Sequence, residues 1–265
     1  MKRLLFPVLI LILALALTAC GAPAAESAPT PTATVEPAPT ATPTPAPPRT
    51  PTPAPTPTPT LLAETEDMGQ EYMDSIVYYG DSNINGLRLL ELLPGGYATN
   101  QIWTPMSGTL TLSRWNVDKI VYPETWTEID VTEAMKTKQP EYLIINLGMN
   151  GVSFMDEEYF TETYDAMVAA LAEANPDTKI ILSSIFPVAK SYPHQESINN
   201  DVIDAANGWI YGIAEARSLR YLDVASALKG EDGALPEELH DGNGFHLTAE
   251  GLGIVLDYIR THGYQ

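Results

Sequence analysis

The chain contains very little cysteine and histidine. Its 265 residues include one cysteine, Cys20, and four histidines at positions 194, 240, 246 and 262. A single cysteine excludes an intrachain disulfide and a cysteine-rich zinc site. The histidines lack HExxH spacing, so the sequence predicts no metal and no cofactor. We expect His194 and His240 to be solvated.

Positive charge is also scarce. The chain has 14 Lys and Arg against 34 Asp and Glu, which gives a formal net charge of −20. Such an acidic chain is repelled by phosphate backbones and by anionic lipid headgroups. We therefore expect no nucleic-acid partner and no electrostatic membrane binding. The sequence gives no indication of oligomeric state.

The N-terminus has the pattern of an export signal. Lys2 and Arg3 precede an apolar run over residues 4–18, which is short for a transmembrane span. The run ends in the string LTAC, which resembles a bacterial lipobox. That resemblance implies a lipoprotein signal peptide over residues 1–20 and a lipidated Cys20 that anchors the protein at the extracellular face of the bacterial cell membrane. The alternative is an ordinary signal peptide with a chance cysteine.

Residues 21–65 are predicted to be a linker. Up to about residue 60 they are nearly all Pro, Thr and Ala, a composition that cannot bury a core and favours polyproline II. Some 40 residues in that conformation would extend on the order of 120 Å. The remaining residues, 66–265, are numerous enough for one domain with a sizeable core.

Strand and helix patterns alternate in residues 66–265. Continuous apolar runs predict strands at residues 75–79, 142–147, 179–185 and 220–224, with a weaker candidate at 101–103. Helical spacing predicts helices at residues 84–93, 157–174, 198–217 and 248–262, the last with Thr248 as its N-cap. This alternation predicts a parallel sheet covered on both faces, with ligands bound at the carboxyl ends of its strands.

Polar residues follow the predicted strands at that edge. Ser82 comes after the first strand, Asn150 comes after strand 142–147, and His246 precedes the last helix. A serine hydroxyl needs a base to become a nucleophile, and histidine is the usual base. An amide NH₂ group can stabilise the oxyanion formed on acyl attack. The sequence thus predicts that these three groups meet, while Asp81 holds the turn.

These motifs resemble the conserved blocks of the SGNH (GDSL) hydrolase superfamily. The string GDSxxxG at 80–86 is similar to its first block, GMN at 148–150 to its third, and HLT at 246–248 to its last. The resemblance covers residues 72–262 and implies a flavodoxin-like three-layer α/β/α sandwich with a central parallel sheet. It also implies Ser82 as nucleophile and His246 as base.

The same resemblance implies three oxyanion donors. Two are the backbone N–H of Ser82 and the side chain of Asn150. The third is a second-block glycine, for which Gly108 in PMSGTLT fits best, with Gly95 and Gly96 as competing candidates.

The acid of the site departs from the family pattern. The family usually has aspartate three residues before the histidine, where this chain has Asn243, and Asp241 lies five before. We favour Asp241 as the acid, because the neighbouring glycines would let the loop bring it to the imidazole. The alternative is a dyad in which Asn243 or a backbone carbonyl orients His246.

The resemblance implies a serine esterase acting on small acyl esters, O-acetyl above all, of carbohydrate. The same site could transfer the acyl group to a sugar hydroxyl, which would make the protein an O-acyltransferase. A non-catalytic glycan-binding lipoprotein on the same fold is the rival from another class. Trp103, Trp115 and Trp126 are candidates for stacking on sugars, although core packing is the more common role of tryptophan.

Overall fold

The computed structural model describes residues 60–265. The predicted signal peptide, the lipidation site Cys20 and nearly all of the predicted linker lie outside the described residues. Within residues 60–265, no helix is long and apolar enough to cross a membrane.

The described part alternates strands with helices. In chain order the elements are α1 (Gly69–Asp74), β1 (Ile76–Gly80), α2 (Ser82–Leu89), β2 (Ile102–Trp103), β3 (Ile120–Tyr122), β4 (Thr127–Ile129), α3 (Val131–Lys138), β5 (Tyr142–Asn146), α4 (Glu157–Ala174), β6 (Lys179–Ser183), α5 (Asn200–Ala216), β7 (Arg220–Leu222), α6 (Val224–Leu228) and α7 (Ala249–Thr261). Short 3₁₀ helices occur at Gly96–Ala98, Leu112–Arg114 and Glu237–Leu239.

Five strands form a parallel sheet in the order β2-β1-β5-β6-β7. This is the flavodoxin-like order, in which the chain starts near the middle of the sheet and winds outwards in both directions. Strands β3 and β4 form a separate antiparallel pair. The predicted fold class is confirmed.

Two cores, one on each face of the sheet, explain why the strands read as continuous apolar runs. Val77 and Tyr79 of β1 point into a core with α3, α4 and α5. Ile76 and Tyr78 point into the other, with α1, α2, α6 and α7. Successive side chains of a strand alternate between the two faces, so a strand buried on both sides takes apolar residues at successive positions.

The predicted domain boundary at residue 66 is wrong. Leu61 bridges to Tyr221 of β7, and the N–H of Leu62 donates to the Tyr221 carbonyl at 2.9 Å. Leu62 is 4% exposed and belongs to one of the two cores. The folded part therefore begins no later than Thr60, because the backbone of Thr60 and Leu62 hydrogen-bonds to β7 and the Leu62 side chain packs in the core.

Candidate active site

The turn between β1 and α2 presents Ser82. Gly80 ends the strand so close to β5 that a Cβ there would lie 2.3 Å from the Asn146 carbonyl oxygen. Asp81 is the N-cap of α2, and its carboxylate accepts the N–H of Asn83 at 3.1 Å. Ser82 is thus the first helical residue. Its N–H has no acceptor within the helix, and it lies at the positive end of the helix dipole.

Asp81 has the structural role that its position predicts. Its side chain is 2% exposed. Burial raises the pKa of Asp81 to about 7, and the hydrogen bond from Asn83 opposes that rise. The carboxyl group points inward to cap the helix.

Ser82 and His246 are in hydrogen-bond contact. The distance between Ser82 Oγ and His246 Nε2 is 2.9 Å, although the two residues are 164 positions apart in the chain. Burial lowers the pKa of His246, and the charge of Asp241 acts in the opposite direction. A lowered pKa keeps the imidazole neutral at neutral pH, the form in which it can take a proton.

Asn243 makes the hydrogen bond to the other nitrogen of His246. Asn243 Nδ2 lies 2.7 Å from His246 Nδ1, whereas Asp241 Oδ2 lies 4.0 Å away. The Asp241 carboxylate is instead 3.2 Å from the N–H of Asn243, which donates to it. The predicted acid is therefore next to the imidazole without a hydrogen bond to it, and its role stays a prediction.

Asn83 holds the chain on both sides of His246. Its Nδ2 donates to the Phe245 carbonyl at 3.2 Å, and its Oδ1 accepts the N–H of Leu247 at 3.0 Å. The Asn83 side chain is buried, and its two hydrogen bonds position the imidazole beside Ser82. Sequence reasoning missed Asn83; its only signal was its place directly after Ser82.

Asn150 reaches the site region but its amide hydrogens are already engaged. Asn150 Nδ2 donates to the Leu110 carbonyl at 3.0 Å and to Thr109 Oγ1 at 3.2 Å. The loop that carries Thr109 lines the same pocket as Ser82. An oxyanion would have to replace one of these two acceptors, and the longer contact, to Thr109, is the weaker.

Gly108 lines the pocket but is not a free donor. Its N–H donates to the Pro105 carbonyl at 2.8 Å, within a turn where Gly108 has φ +74°. The competing candidate Gly96 likewise donates its N–H, to Leu93, at 2.9 Å. Gly108 can therefore act in an oxyanion hole only if this turn opens, because its single hydrogen is used in the turn.

Ser82 and His246 open into a cavity of about 540 Å³. One wall comes from α2 and its C-cap and includes Leu89 and Leu90, which are 56% and 44% exposed. The opposite wall is the loop of residues 107–109, and Asp241 lies at the rim beside His246. A cavity of this size suits a small ligand, and its wall offers apolar surface next to the hydroxyl.

The other candidate residues lie in different environments. Trp103 is fully buried in the core, whereas Trp126 is 44% exposed. The side chain of His194 is 64% exposed, as expected, but that of His240 is only 3% exposed, so the expectation that His240 is solvated is wrong. Among residues 60–265, no three acidic, histidine or cysteine side chains cluster as metal ligands.

The part of the chain that carries Ser82, Asn150 and His246 matches the model of a known protein family. A family model described as the GDSL-like lipase/acylhydrolase family matches residues 74–253. The chain belongs to this family. It is a GDSL/SGNH-type hydrolase, and the matched residues run from just before β1 into α7. None of the curated proteins matches the chain.

Solved structures support the GDSL fold. A candidate platelet activating factor from Streptococcus pneumonia aligns with a TM-score of 0.52 at 19% identity, covering 70% of this chain and 82% of its own. A GDSL-like lipase from Bacteroides thetaiotaomicron aligns with a TM-score of 0.51 at 22% identity, covering 73% and 89%. A candidate acylhydrolase from Bacteroides fragilis gives a TM-score of 0.51 at 20% identity, covering 75% and 88%. At these identities the likeness shows the fold.

Asn150→Ala should lower kcat by roughly 10²- to 10³-fold, the loss typical of one oxyanion-hole donor. KM should change little, because the amide would act mainly on charge that develops in the transition state. Steady-state kinetics with 4-nitrophenyl acetate provide the measurement. A large rise in KM at unchanged kcat would instead make Asn150 a substrate-binding residue.

Proposed function

We propose that this GDSL hydrolase is a serine esterase that removes small acyl groups, O-acetyl above all, from carbohydrate at the cell surface. The observation that carries the proposal is the 2.9 Å contact between Ser82 Oγ and His246 Nε2 at the mouth of a cavity of about 540 Å³. A hydroxyl in contact with an imidazole at a helix N-terminus suits acyl transfer, because the imidazole can take the hydroxyl proton and the helix N-terminus can stabilise the oxyanion that forms.

The proposed reaction begins from the His246 tautomer that has its hydrogen on Nδ1. Ser82 Oγ attacks the acyl carbonyl carbon while its proton passes to His246 Nε2. The N–H of Ser82 and the amide of Asn150 then stabilise the oxyanion. Collapse of this intermediate breaks the ester C–O bond, and the leaving alcohol takes the proton from His246. A water molecule, deprotonated by His246, attacks the acyl-enzyme. The bond between the acyl carbon and Ser82 Oγ then breaks, His246 returns the proton to Ser82 Oγ, and the carboxylic acid is released.

An exposed aromatic pair supports carbohydrate as the substrate class. The rings of Tyr97 and Trp126 lie 6.0 Å apart and nearly parallel, at 8°, and both are about half exposed. Trp126 has φ +54°, a conformation that bulky residues rarely adopt and that costs backbone energy. The Arg88 guanidinium, 5.7 Å from the Trp126 ring centre, links the pair to α2, where the next residue, Leu89, lines the cavity. Flat, exposed rings are suited to stacking on a sugar ring.

Trp126→Ala should raise KM for an O-acetylated oligosaccharide by up to about tenfold, the value of one aromatic stacking contact. KM for 4-nitrophenyl acetate should not change, because this small ester does not reach the pair. Tyr159→Ala is a matched control, since Tyr159 is 46% exposed and lies on α4, which contributes no residue to the cavity wall. Equal KM values for Trp126→Ala and wild type would remove the support for carbohydrate.

The esterase proposal is tested with the full-length protein. A fluorophosphonate should label Ser82, as mapped by mass spectrometry, and 4-nitrophenyl acetate should be hydrolysed. With an O-acetylated oligosaccharide, release of acetate would support an esterase, whereas acetyl appearing on an added acceptor glycan would show an O-acyltransferase. Absence of both labelling and turnover would favour the non-catalytic glycan-binding alternative.

We also propose that the protein is anchored by lipid at Cys20. Cys20→Ser should still be exported, because the apolar run over residues 4–18 is unchanged, but should be released from the membrane because no acyl chain can attach. Cell fractionation and blotting measure the distribution. Retention of Cys20→Ser in the membrane fraction with its signal peptide cleaved would contradict the lipid anchor.

A further inference from the structure

His240 is a buried histidine that the proposed reaction does not use. It follows the 3₁₀ helix Glu237–Leu239 and precedes the loop of residues 241–245 that leads to His246. Only 3% of its side chain is exposed. A buried titratable side chain of this kind is expected to have partners for both ring nitrogens, and it does.

The hydrogen bonds define which nitrogen of His240 carries the proton. Its Nδ1 accepts the backbone N–H groups of Gly242, at 3.0 Å, and Gly244, at 3.1 Å. Because both partners are donors, Nδ1 must be unprotonated and Nε2 must carry the hydrogen. Nε2 then donates to Glu237 Oε2 at 3.0 Å, and the same carboxylate oxygen accepts from Ser191 Oγ at 2.8 Å.

The loop wraps around His240 because two of its residues are glycines in the left-handed region. Gly242 has φ +98° and Gly244 has φ +89°, and this curvature turns both N–H groups toward the same imidazole. On its other side, Gly244 packs so closely that a Cβ would lie 2.7 Å from the Cα of Tyr192. Gly244 itself is buried, so its N–H has no water to replace His240.

We propose that His240 is a positioning residue for the catalytic imidazole. By accepting two N–H groups at Nδ1, it fixes the conformation of the loop over residues 241–245. That conformation places Asn243 and Asp241 beside Nδ1 of His246. His240 touches neither substrate nor the reacting atoms, and its effect on hydrolysis passes through the loop. The inference rests on the proposed function, since it assigns His246 as the base.

Two substitutions separate the two ends of the His240 ring. The carboxamide of Asn ends near the position of Nδ1, so His240→Asn retains an acceptor for the two glycine N–H groups. The longer His240→Gln reaches the position of Nε2 and Glu237 but offers no acceptor at Nδ1. Misplacing a catalytic group by about 1 Å can cost 10²-fold in rate.

Turnover of 4-nitrophenyl acetate should distinguish the two variants, each made in the full-length protein. We expect kcat of His240→Asn within about threefold of wild type and kcat of His240→Gln about 100-fold lower, with KM unchanged in both. Rescue by the variant that keeps only the acceptor is a result that a general loss of stability would not give. Equal kcat for His240→Gln and wild type, or an equally large loss in both folded variants, would overturn the inference.

A measurement on the wild-type protein keeps the inference testable if a variant fails to fold. Imidazole nitrogen NMR shifts should show a hydrogen on Nε2 of His240 and none on Nδ1. A hydrogen on Nδ1 would overturn the inference, since the two glycine N–H groups would then face a donor. If wild type hydrolyses no ester, the proposed function fails, and this spectrum still decides the hydrogen bonding of His240.

Discussion

Ser82→Ala should abolish ester hydrolysis while leaving the fold intact. The hydroxyl is the proposed nucleophile, and His246 Nε2 is its hydrogen-bond partner at 2.9 Å. Removing a member of such a unit lowers kcat by roughly 10⁴- to 10⁶-fold. The fold should persist, because α2 is capped by the side chain of Asp81 rather than by Ser82.

Steady-state kinetics with 4-nitrophenyl acetate and the thermal unfolding midpoint are the two measurements for Ser82→Ala. Ser226→Ala is a matched control, because Ser226 is an exposed serine on α6 that does not line the cavity. The double variant Ser82→Ala/His246→Ala should lose no more activity than either single variant, since the two groups act together. Retention of more than about a tenth of the wild-type kcat in Ser82→Ala would refute its assignment as nucleophile.

The second large effect is expected at Asp241, and it depends on the tautomer of His246. Asn243 Oδ1 accepts the N–H groups of Phe245, at 3.0 Å, and of His246, at 2.9 Å. These two donors fix the orientation of the amide, so that its NH₂ group faces His246 Nδ1. A donor at Nδ1 requires the imidazole hydrogen to be on Nε2, where it points at Ser82 and blocks proton transfer from the hydroxyl.

A reactive site therefore requires the hydrogen to move to Nδ1, with an acceptor to receive it. The Asp241 carboxylate is 4.0 Å from Nδ1, a shift of little more than 1 Å from a hydrogen bond. A carboxylate there would hold the reactive tautomer and stabilise the imidazolium formed on acyl attack. The prediction that Asp241 is the acid therefore requires Asp241 to displace Asn243 at Nδ1.

Asp241→Asn should then lower kcat by several orders of magnitude, comparable with the roughly 10⁴-fold loss known for such a change in a triad. Asn243→Ala should have a mild effect, because it leaves Nδ1 open to Asp241. Asn243→Asp should maintain or raise kcat, because its second oxygen would take the place of the NH₂ group 2.7 Å from Nδ1. If Asp241→Asn has no effect on kcat, the site works as a dyad.

The pH profile provides an independent test of the same idea. The acid limb of kcat/KM reports the pKa of His246 in the free enzyme, because the base must be neutral to work. Burial lowers this pKa, and the negative charge of Asp241 raises it. Asp241→Asn should therefore move the acid limb to lower pH, and Asn243→Asp should move it to higher pH. An acid limb that does not move in Asp241→Asn would argue against the carboxylate as partner.

The sequence predicted the sheet well because its strands are buried on both faces. Apolar runs at residues 75–79, 142–147 and 179–185 correspond to β1, β5 and β6, and even the weak candidate at 101–103 is a strand, β2. Helix α4 has the predicted bounds, residues 157–174. In contrast, β3, β4 and α3 were missed. Two residues of β4 are exposed, and α3 buries only one side, so neither produces a long apolar pattern.

The hydrogen bonds within the site were harder to predict from the sequence than the residues that form the site. Contact between Ser82 and His246 was expected because both were predicted to lie at the carboxyl edge of the sheet. The structure brings them together. The bonds of Asn83 to the chain around His246 join residues more than 160 positions apart, so no local pattern signals them. The burial of His240 depends on the conformation of a loop in which two glycines have positive φ, and composition alone does not predict that conformation.

The pairing of residues 60–62 with β7 also protects the protein from self-association. Strand β7 ends the sheet order, and an uncovered edge strand offers unpaired N–H and C=O groups to another copy of the chain. The N–H of Tyr221 is instead taken by the Thr60 carbonyl at 2.8 Å, and its carbonyl by Leu62. A soluble fragment cut at residue 66 would lose this cover and expose an aggregation-prone edge, whereas one that keeps Thr60 would not.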